Sequence, residues 1–329
     1  MTARAPDTTS LDDAPVLVHV TRGGFVESAH RATLVATDPA GGTPPSSRPG
    51  GRPRPAALLA EADPGTRDGA PRTRPPATPA RPRLLEPLRG GGPPRGRRRD
   101  PRERRPRPRC AAEHPRAADR RARAARWLAA GTEPVPVARD CSGKHAGMLV
   151  TCRVNDWPIE SYLDVDHPLQ QAIRATTAQV VGEVSHTTVD GCGAPLFAVP
   201  LVGPASSFGA LAAAEPTTDE GRIADAMRTA PQMVGGTGRD VTQFMQAVPG
   251  LIAKDGAESV YAAGLADGRG IAIKVADGAP TPRARRALLA HALLALGVDT
   301  PGLRELADQP VLGHGRPVGA VEVLDLTAS

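Results

Sequence analysis

From Pro44 to Arg126 the chain runs for 83 residues without a single Val, Ile, Phe, Met, Tyr, Trp or Lys, while holding 23 of its 38 arginines and 18 of its 36 prolines. Five leucines and one cysteine are the strong apolar residues there, too little area to offset the entropy of ordering the backbone. No helical or strand periodicity runs through it, so a chain of 329 residues, long enough for two or three domains, must draw its core from the flanks. The window has eight acids and a net charge of +15; the chain carries +6, which leaves the other 246 residues at −9. The pI of 9.7 therefore belongs to one segment. A nucleic-acid or membrane partner is not implied for the acidic parts that can fold.

Three readings of the window are open. It is a disordered basic linker of polyproline character, or an arginine-rich arm for nucleic acid, which would lack the interleaved aromatics that stack on bases. The third is a stretch read out of frame, since Arg, Pro, Gly and Ala are what GC-rich DNA encodes in the wrong frame and the composition switches on and off abruptly. No run of 18 apolar residues occurs, and Met1 to Pro15 has no apolar secretion core, so a cytoplasmic protein outside the membrane is expected. Four cysteines (Cys110, Cys141, Cys152, Cys192) in a chain this long read as thiols or ligands rather than a disulfide framework.

The flanks do show patterns. Val16 to Thr21 alternates near period two, Gly23-Gly24 is turn chemistry and Phe25 to Thr37 is a second extended run, which predicts a β-hairpin within residues 1–43. Residues 44–130 form the low-complexity segment, with order returning near Trp127 to Gly131, and 131–329 the main domain. There, His167 to Val181 is apolar at helical spacing (Leu169, Ile173, Val180), and Leu196 to Val202 predicts a strand. Ser206-Ser207 could cap a helix from Phe208 to Ala214, and Thr218-Asp-Glu could open another towards Met227. Gly250 to Ala263 and Arg269 to Val275 look like paired strands around an Ala-Asp-Gly turn, Pro282 to Leu296 is helical, and a last strand lies near Val318 to Leu324. Strands at both ends with helices between give an α+β domain.

Four places carry chemistry. Cys141, Lys144 and His145 stand at i, i+3 and i+4, one face if the segment is helical, and suit a metal half-site or a Cys–His nucleophile pair; a buried structural cysteine beside an exposed Lys-His fits equally. Asp190-Gly-Cys192-Gly makes a tight turn with an accessible thiol, or a plain surface turn. Cys152, inside Leu149-Val-Thr-Cys-Arg-Val, reads as core. Lys274 in Gly270-Ile-Ala-Ile-Lys-Val is fit for base work if it points inward, where desolvation lowers its pKa; spacing alone leans to an exposed strand position. Met233-Val-Gly-Gly-Thr-Gly-Arg-Asp is a glycine-rich loop before a helix, able to hold an anion on backbone N–H groups or simply a helix start.

Together these motifs resemble one family, the rhizobial-type L-asparaginases, also called asparaginase II or thermolabile asparaginase. The resemblance rests on Val18-His-Val-Thr-Arg-Gly-Gly-Phe-Val-Glu-Ser-Ala-His-Arg, Asp140-Cys-Ser-Gly-Lys-His-Ala-Gly-Met-Leu, Val189-Asp-Gly-Cys-Gly-Ala-Pro, Met233-Val-Gly-Gly-Thr-Gly-Arg, Lys254-Asp-Gly-Ala-Glu-Ser-Val and Gly270-Ile-Ala-Ile-Lys-Val-Ala-Asp-Gly, six motifs in order, and spans all but roughly 44 to 130. It implies a serine β-lactamase and glutaminase-like architecture, a homodimer, and hydrolysis of the L-asparagine side-chain amide to aspartate and ammonia. It further implies zinc held by Cys141, Lys144 and Cys192, the lysine as neutral amine, with Asp190 orienting water in the site and His145 within reach. The nucleophile in such enzymes is a serine activated by lysine, and one such lysine falls on Lys274.

The departures are as specific. Both serine motifs, Arg-Ser-Ser-x-Lys-Pro and Ala-Ser-His-Ser-Gly-Glu, belong between residues 44 and 130, and neither is there; Ser46-Ser47-Arg48-Pro49 lacks the lysine, and no serine occurs from Gly50 to Gly131. A family cysteine before Lys274 is replaced, most simply by Ala262. Because the total length still suits the family, the out-of-frame reading gains over an inserted linker. The expectation is an asparaginase-type chain with its zinc ligands present and its nucleophile missing. Two other classes remain: a zinc-binding protein with a basic nucleic-acid arm, and a Cys–His hydrolase using Cys141 or Cys192.

Overall fold

The computed structural model describes residues 14–39, 129, 131, 140–278 and 282–326, and the backbone of 58–60. The expected return of order at Trp127, the echo at Ser46-Ser47, and Cys110 lie outside the described residues.

A seven-stranded antiparallel sheet organises the domain. The hairpin β1 (Val16–Arg22) and β2 (Phe25–Thr37) turns at Gly23 and Gly24, both at positive φ. Its flanks are supplied from the far end of the chain: β6 (Ile252–Asp255), β7 (Val260–Gly264) and β8 (Gly270–Val275) join at β2, while β9 (Pro310–Gly313) and β10 (Arg316–Val323) join at β1. The strand order is β6-β7-β8-β2-β1-β10-β9. A smaller sheet has the order β3-β5-β4, from Leu58–Ala60, Pro195–Val199 and His186–Val189. Eight helices are described: α1 (Ser142–Val154), α2 (Pro168–Val181), α3 (Val202–Ala212), α4 (Asp219–Thr229), α5 (Pro231–Gly235), α6 (Asp240–Ala247), α7 (Arg283–Ala295) and α8 (Pro301–Ala307). The α+β class follows from the sequence; β9, α8 and the split of Gly250–Ala263 into two strands do not.

Strand alternation sorts residues to the two faces of the large sheet. Ala32, Tyr261, Ala263, Ile271, Ile273 and Val275 face one cluster with Leu288, Leu289 and Leu293 of α7 and Leu303 of α8. Val35, Val260 and Ala272 face the other, with Met148 and Cys152 of α1, Leu169 and Ile173 of α2, and Phe197 and Val199 of β5. Helix α3 lies close on this second face because glycines admit it. A Cβ at Gly270 would sit 1.8 Å from the Ala205 carbonyl oxygen, and one at Gly264 would sit 1.9 Å from that of Phe208.

Two local expectations are corrected. Ser206 and Ser207 do not cap a helix; α3 starts at Val202, and their hydroxyls donate to the carbonyls of Gly203 and Pro204 one turn back, a mid-helix use of serine. Val180, counted on the apolar stripe of α2, is 55 % exposed. Thr218, by contrast, caps α4 by accepting from the Gly221 N–H.

Candidate metal centre

Helix α1 builds one wall of the site. Met148 and Cys152 are its buried residues, and stepping back along the same stripe by helical intervals reaches His145 or Lys144 and then Cys141, the N-cap. The thiol of Cys141 makes no capping hydrogen bond. The second wall is the turn between β4 and β5, where Gly193 N–H donates to the Asp190 carbonyl, Asp190 N–H donates to that of Ala194, and Gly193 takes a φ of 89°. This turn lifts Asp190 and Cys192 towards the start of α1.

The two walls meet. The sulfurs of Cys141 and Cys192 and a carboxylate oxygen of Asp190 lie within 4.8 Å of one another. Lys144 Nζ stands 3.3 Å from Asp190 Oδ2, with the two side chains only 10 % and 15 % exposed. Cys192 donates to the same Oδ2 over 3.1 Å, while Asp190 Oδ1 accepts from the Gly191 N–H at 2.7 Å. Two soft thiol donors, a carboxylate and an amine in one half-buried place suit a zinc-like divalent ion, whose bonds to sulfur of about 2.3 Å place two ligating sulfurs roughly 3.8 Å apart. The donor set fits the group.

His145 is beside this centre but faces another partner: its Nδ1 hydrogen-bonds the Tyr162 hydroxyl at 2.7 Å, the rings edge-on. Burial lowers the His145 pKa, the Lys144 charge lowers it further, and Asp190 acts in the opposite sense. Burial raises the Tyr162 hydroxyl, with Cys192 and Cys152 adding to it. Tyr162 sits in the irregular stretch after α1, where no periodicity singles it out. Cys152 is fully buried, as expected, and burial raises its thiol.

Lys274 differs from the exposed reading that spacing favoured. It lies on β8 opposite Thr33 and Val260, is 8 % exposed, and donates from Nζ to the carbonyl of Glu258. Alternation puts it on the face of Val260 and Ala272, whose apolar residues belong to the same cluster as Met148 and Cys152 of α1. Burial lowers its pKa, with Glu258 and Asp277 acting against the shift. Ala262 is buried in β7.

The glycine-rich loop leads to a cluster that sequence reasoning missed. Arg239, at its end, reaches Asp255 Oδ2 at 2.8 Å, and Arg285 of α7 reaches the same oxygen at 2.7 Å. Lys254 Nζ stands 3.3 Å from Asp255 Oδ1, and Arg285 Nε 3.5 Å from Asp240 Oδ2. Burial pushes the Asp255 carboxyl up, and Lys254, Arg285 and Arg239 together bring it below its ordinary value. Burial raises Asp240, and its countercharges do not reverse that. The basic end of the loop thus serves protein carboxylates.

A family model described as L-asparaginase II matches residues 108–323. The chain belongs to that family. The matched range of the asparaginase II model covers both walls of the centre, Lys274 and the buried charge cluster. It takes in residues 108–130, which the quoted motifs did not, and leaves out the β1–β2 hairpin, which they did. A search of curated proteins finds no match. Asparaginase II membership places the chain in a family of amidohydrolases whose substrates are small molecules. Among the described residues no helix is long and apolar enough to cross a membrane.

Proposed function

We propose that this chain is an L-asparaginase-type amidohydrolase of serine β-lactamase and glutaminase-like architecture, with a zinc centre on Cys141, Lys144 and Cys192 and with its amide hydrolysis impaired. The observation that carries the reading is the convergence, in an asparaginase II chain, of two sulfurs and a carboxylate from segments some fifty residues apart. Zinc bound there would supply Lewis acidity to a water or a substrate carbonyl.

The chain's own groups set what else can happen. Asp190, between Lys144 and Cys192 and fixed by the Gly191 N–H, can orient a water or the substrate ammonium. His145, held by Tyr162, takes a fixed ring orientation at the rim. Lys274, desolvated on the same face of the sheet, is suited to take a hydroxyl proton at Nζ. The proton donor it should meet is a serine from the missing motifs, so the acyl-enzyme step has no nucleophile. A Cys–His mechanism is less well served, since one ring nitrogen of His145 is on Tyr162 and the Cys192 thiol is on Asp190.

Ammonia release from L-asparagine by the purified, zinc-loaded chain tests this. Turnover at the level of an intact family enzyme would overturn the impairment. The coding DNA gives a second check: reading it in a neighbouring frame between codons 44 and 130 is expected to bring back both serine motifs. Size measurement in solution checks the homodimer that the family resemblance implies.

A further inference from the structure

We propose that Cys141 and Cys192 form a redox-sensitive latch: a hydroperoxide closes a disulfide between them, and closure expels the metal ion. This rests on the proposed metal centre and adds to it a response to oxidants. The two sulfurs already lie within 4.8 Å, so closing to a bond of about 2.05 Å asks for a shift of under about 3 Å. The element that can supply the shift is the β4–β5 turn. Cys192 stands there between Gly191, whose Cα has open space around it, and Gly193 at positive φ, whereas Cys141 is fixed to the first turn of a thirteen-residue helix.

The chemistry balances. One thiolate attacks the peroxide, the O–O bond breaks, and the sulfur becomes a sulfenic acid as hydroxide or alkoxide leaves and is protonated. The second thiolate then attacks that sulfur, the S–S bond forms, and the sulfenic oxygen departs as water after taking a proton. Two electrons pass from the sulfurs to the peroxide. Two negative charges vanish from the site as the divalent ion carries two positive ones away. What stays behind is the ion pair of Lys144, which takes up a proton from water as the metal leaves, and Asp190, standing at 3.3 Å. The site therefore leaves no uncompensated pair of buried thiolates after release. Cys152, fully buried eleven residues along the same helix, is the internal control.

The full chain loaded with zinc is treated with hydrogen peroxide, while a colorimetric chelator reads zinc release and mass mapping reads the peptides. The latch predicts about one zinc released per chain together with a linked Cys141–Cys192 peptide pair, reversal by dithiothreitol plus zinc, and Cys152 left as thiol. Cys192→Ser is expected to abolish the link; should that variant fail to fold, the peptide map of the unaltered chain decides alone. Zinc lost with separate sulfinic acids on each cysteine, or a bridge through Cys152 or Cys110, would overturn the latch. A chain that takes up no zinc yet closes the bridge would uphold the disulfide and overturn the metal centre, which keeps the two failures apart.

Discussion

On one face of the large sheet, Tyr261, Ile271, Ile273 and Val275 meet three leucines of α7, and the charges buried at its edge, Asp255 and Asp240, are met by Arg285, Arg239 and Lys254 from the same body. On the other face, Val260 and Ala272 share a cluster with residues of α1, α2 and β5, but Val150, Val154, Val180 and Val189 are exposed, and the polar cluster gathers two thiols, a carboxylate and an amine. The first face closes on its own chemistry. The second gathers the donor set of the proposed zinc centre, two sulfurs and a carboxylate beside a lysine amine. A zinc site can in this way hold together a lobe whose apolar contacts are thinner.

The contrast can be broken most forcefully at the metal. Cys192→Ser is expected to weaken zinc binding by more than about 100-fold, beyond what loss of an outer-shell partner costs; equilibrium dialysis against a buffered zinc series reads it. Stripping zinc with a chelator is expected to raise hydrogen exchange in α1 and the β4–β5 turn while α7 and β8 keep their protection. Equal loosening of both faces would show that the division is not real.

Next in size is Arg285→Met. It leaves Asp255 and Asp240 short of a countercharge, and denaturant unfolding is expected to show a loss of about 3–5 kcal/mol. Leu288→Ala, in the centre of the same face, should cost about 2–5 kcal/mol in the same experiment.

These two residues also mark what could be read in advance. Leu288 falls on the periodic stripe of Pro282–Leu296, and periodicity locates such core positions because a helix repeats every 3.6 residues. Arg285 sits on that stripe too, yet nothing local says that a charged residue there turns inward; its carboxylate partners come from a loop end and from the β6 edge, thirty residues or more away. The metal centre divides in the same way. Cys141, Lys144 and His145 share a helix face and were legible together, whereas the union of that face with Asp190 and Cys192 rested on likeness to a family until the two walls were seen to meet. Spacing leans to an exposed Lys274 because alternation suggests one solvated side, whereas β8 is covered on both. Tyr162 was invisible, since it lies in a stretch without a repeat.

A gentler probe is pH. The folded Asp255 carboxyl is held below its ordinary value of 3.8, so the folded state binds fewer protons than the unfolded one. Its contribution is fully present above that value and is lost as the pH falls below it and through the lower folded-state pKa. Melting temperature is expected to drop below about pH 4, and the drop should shrink in an Asp255→Asn variant; an unchanged acid slope would remove Asp255 from the account. The smallest effect is expected at the exposed rim, where Val180→Thr should change stability by no more than about 0.5 kcal/mol. A larger loss would mean that the second face is covered in solution.

Zinc-edge X-ray absorption on the purified chain puts the centre itself to the test. Two sulfur neighbours near about 2.3 Å with nitrogen or oxygen completing the shell, falling to one sulfur in Cys141→Ser, are what the account predicts. A zinc ion ringed only by nitrogen and oxygen, its spectrum the same in both chains, would contradict it.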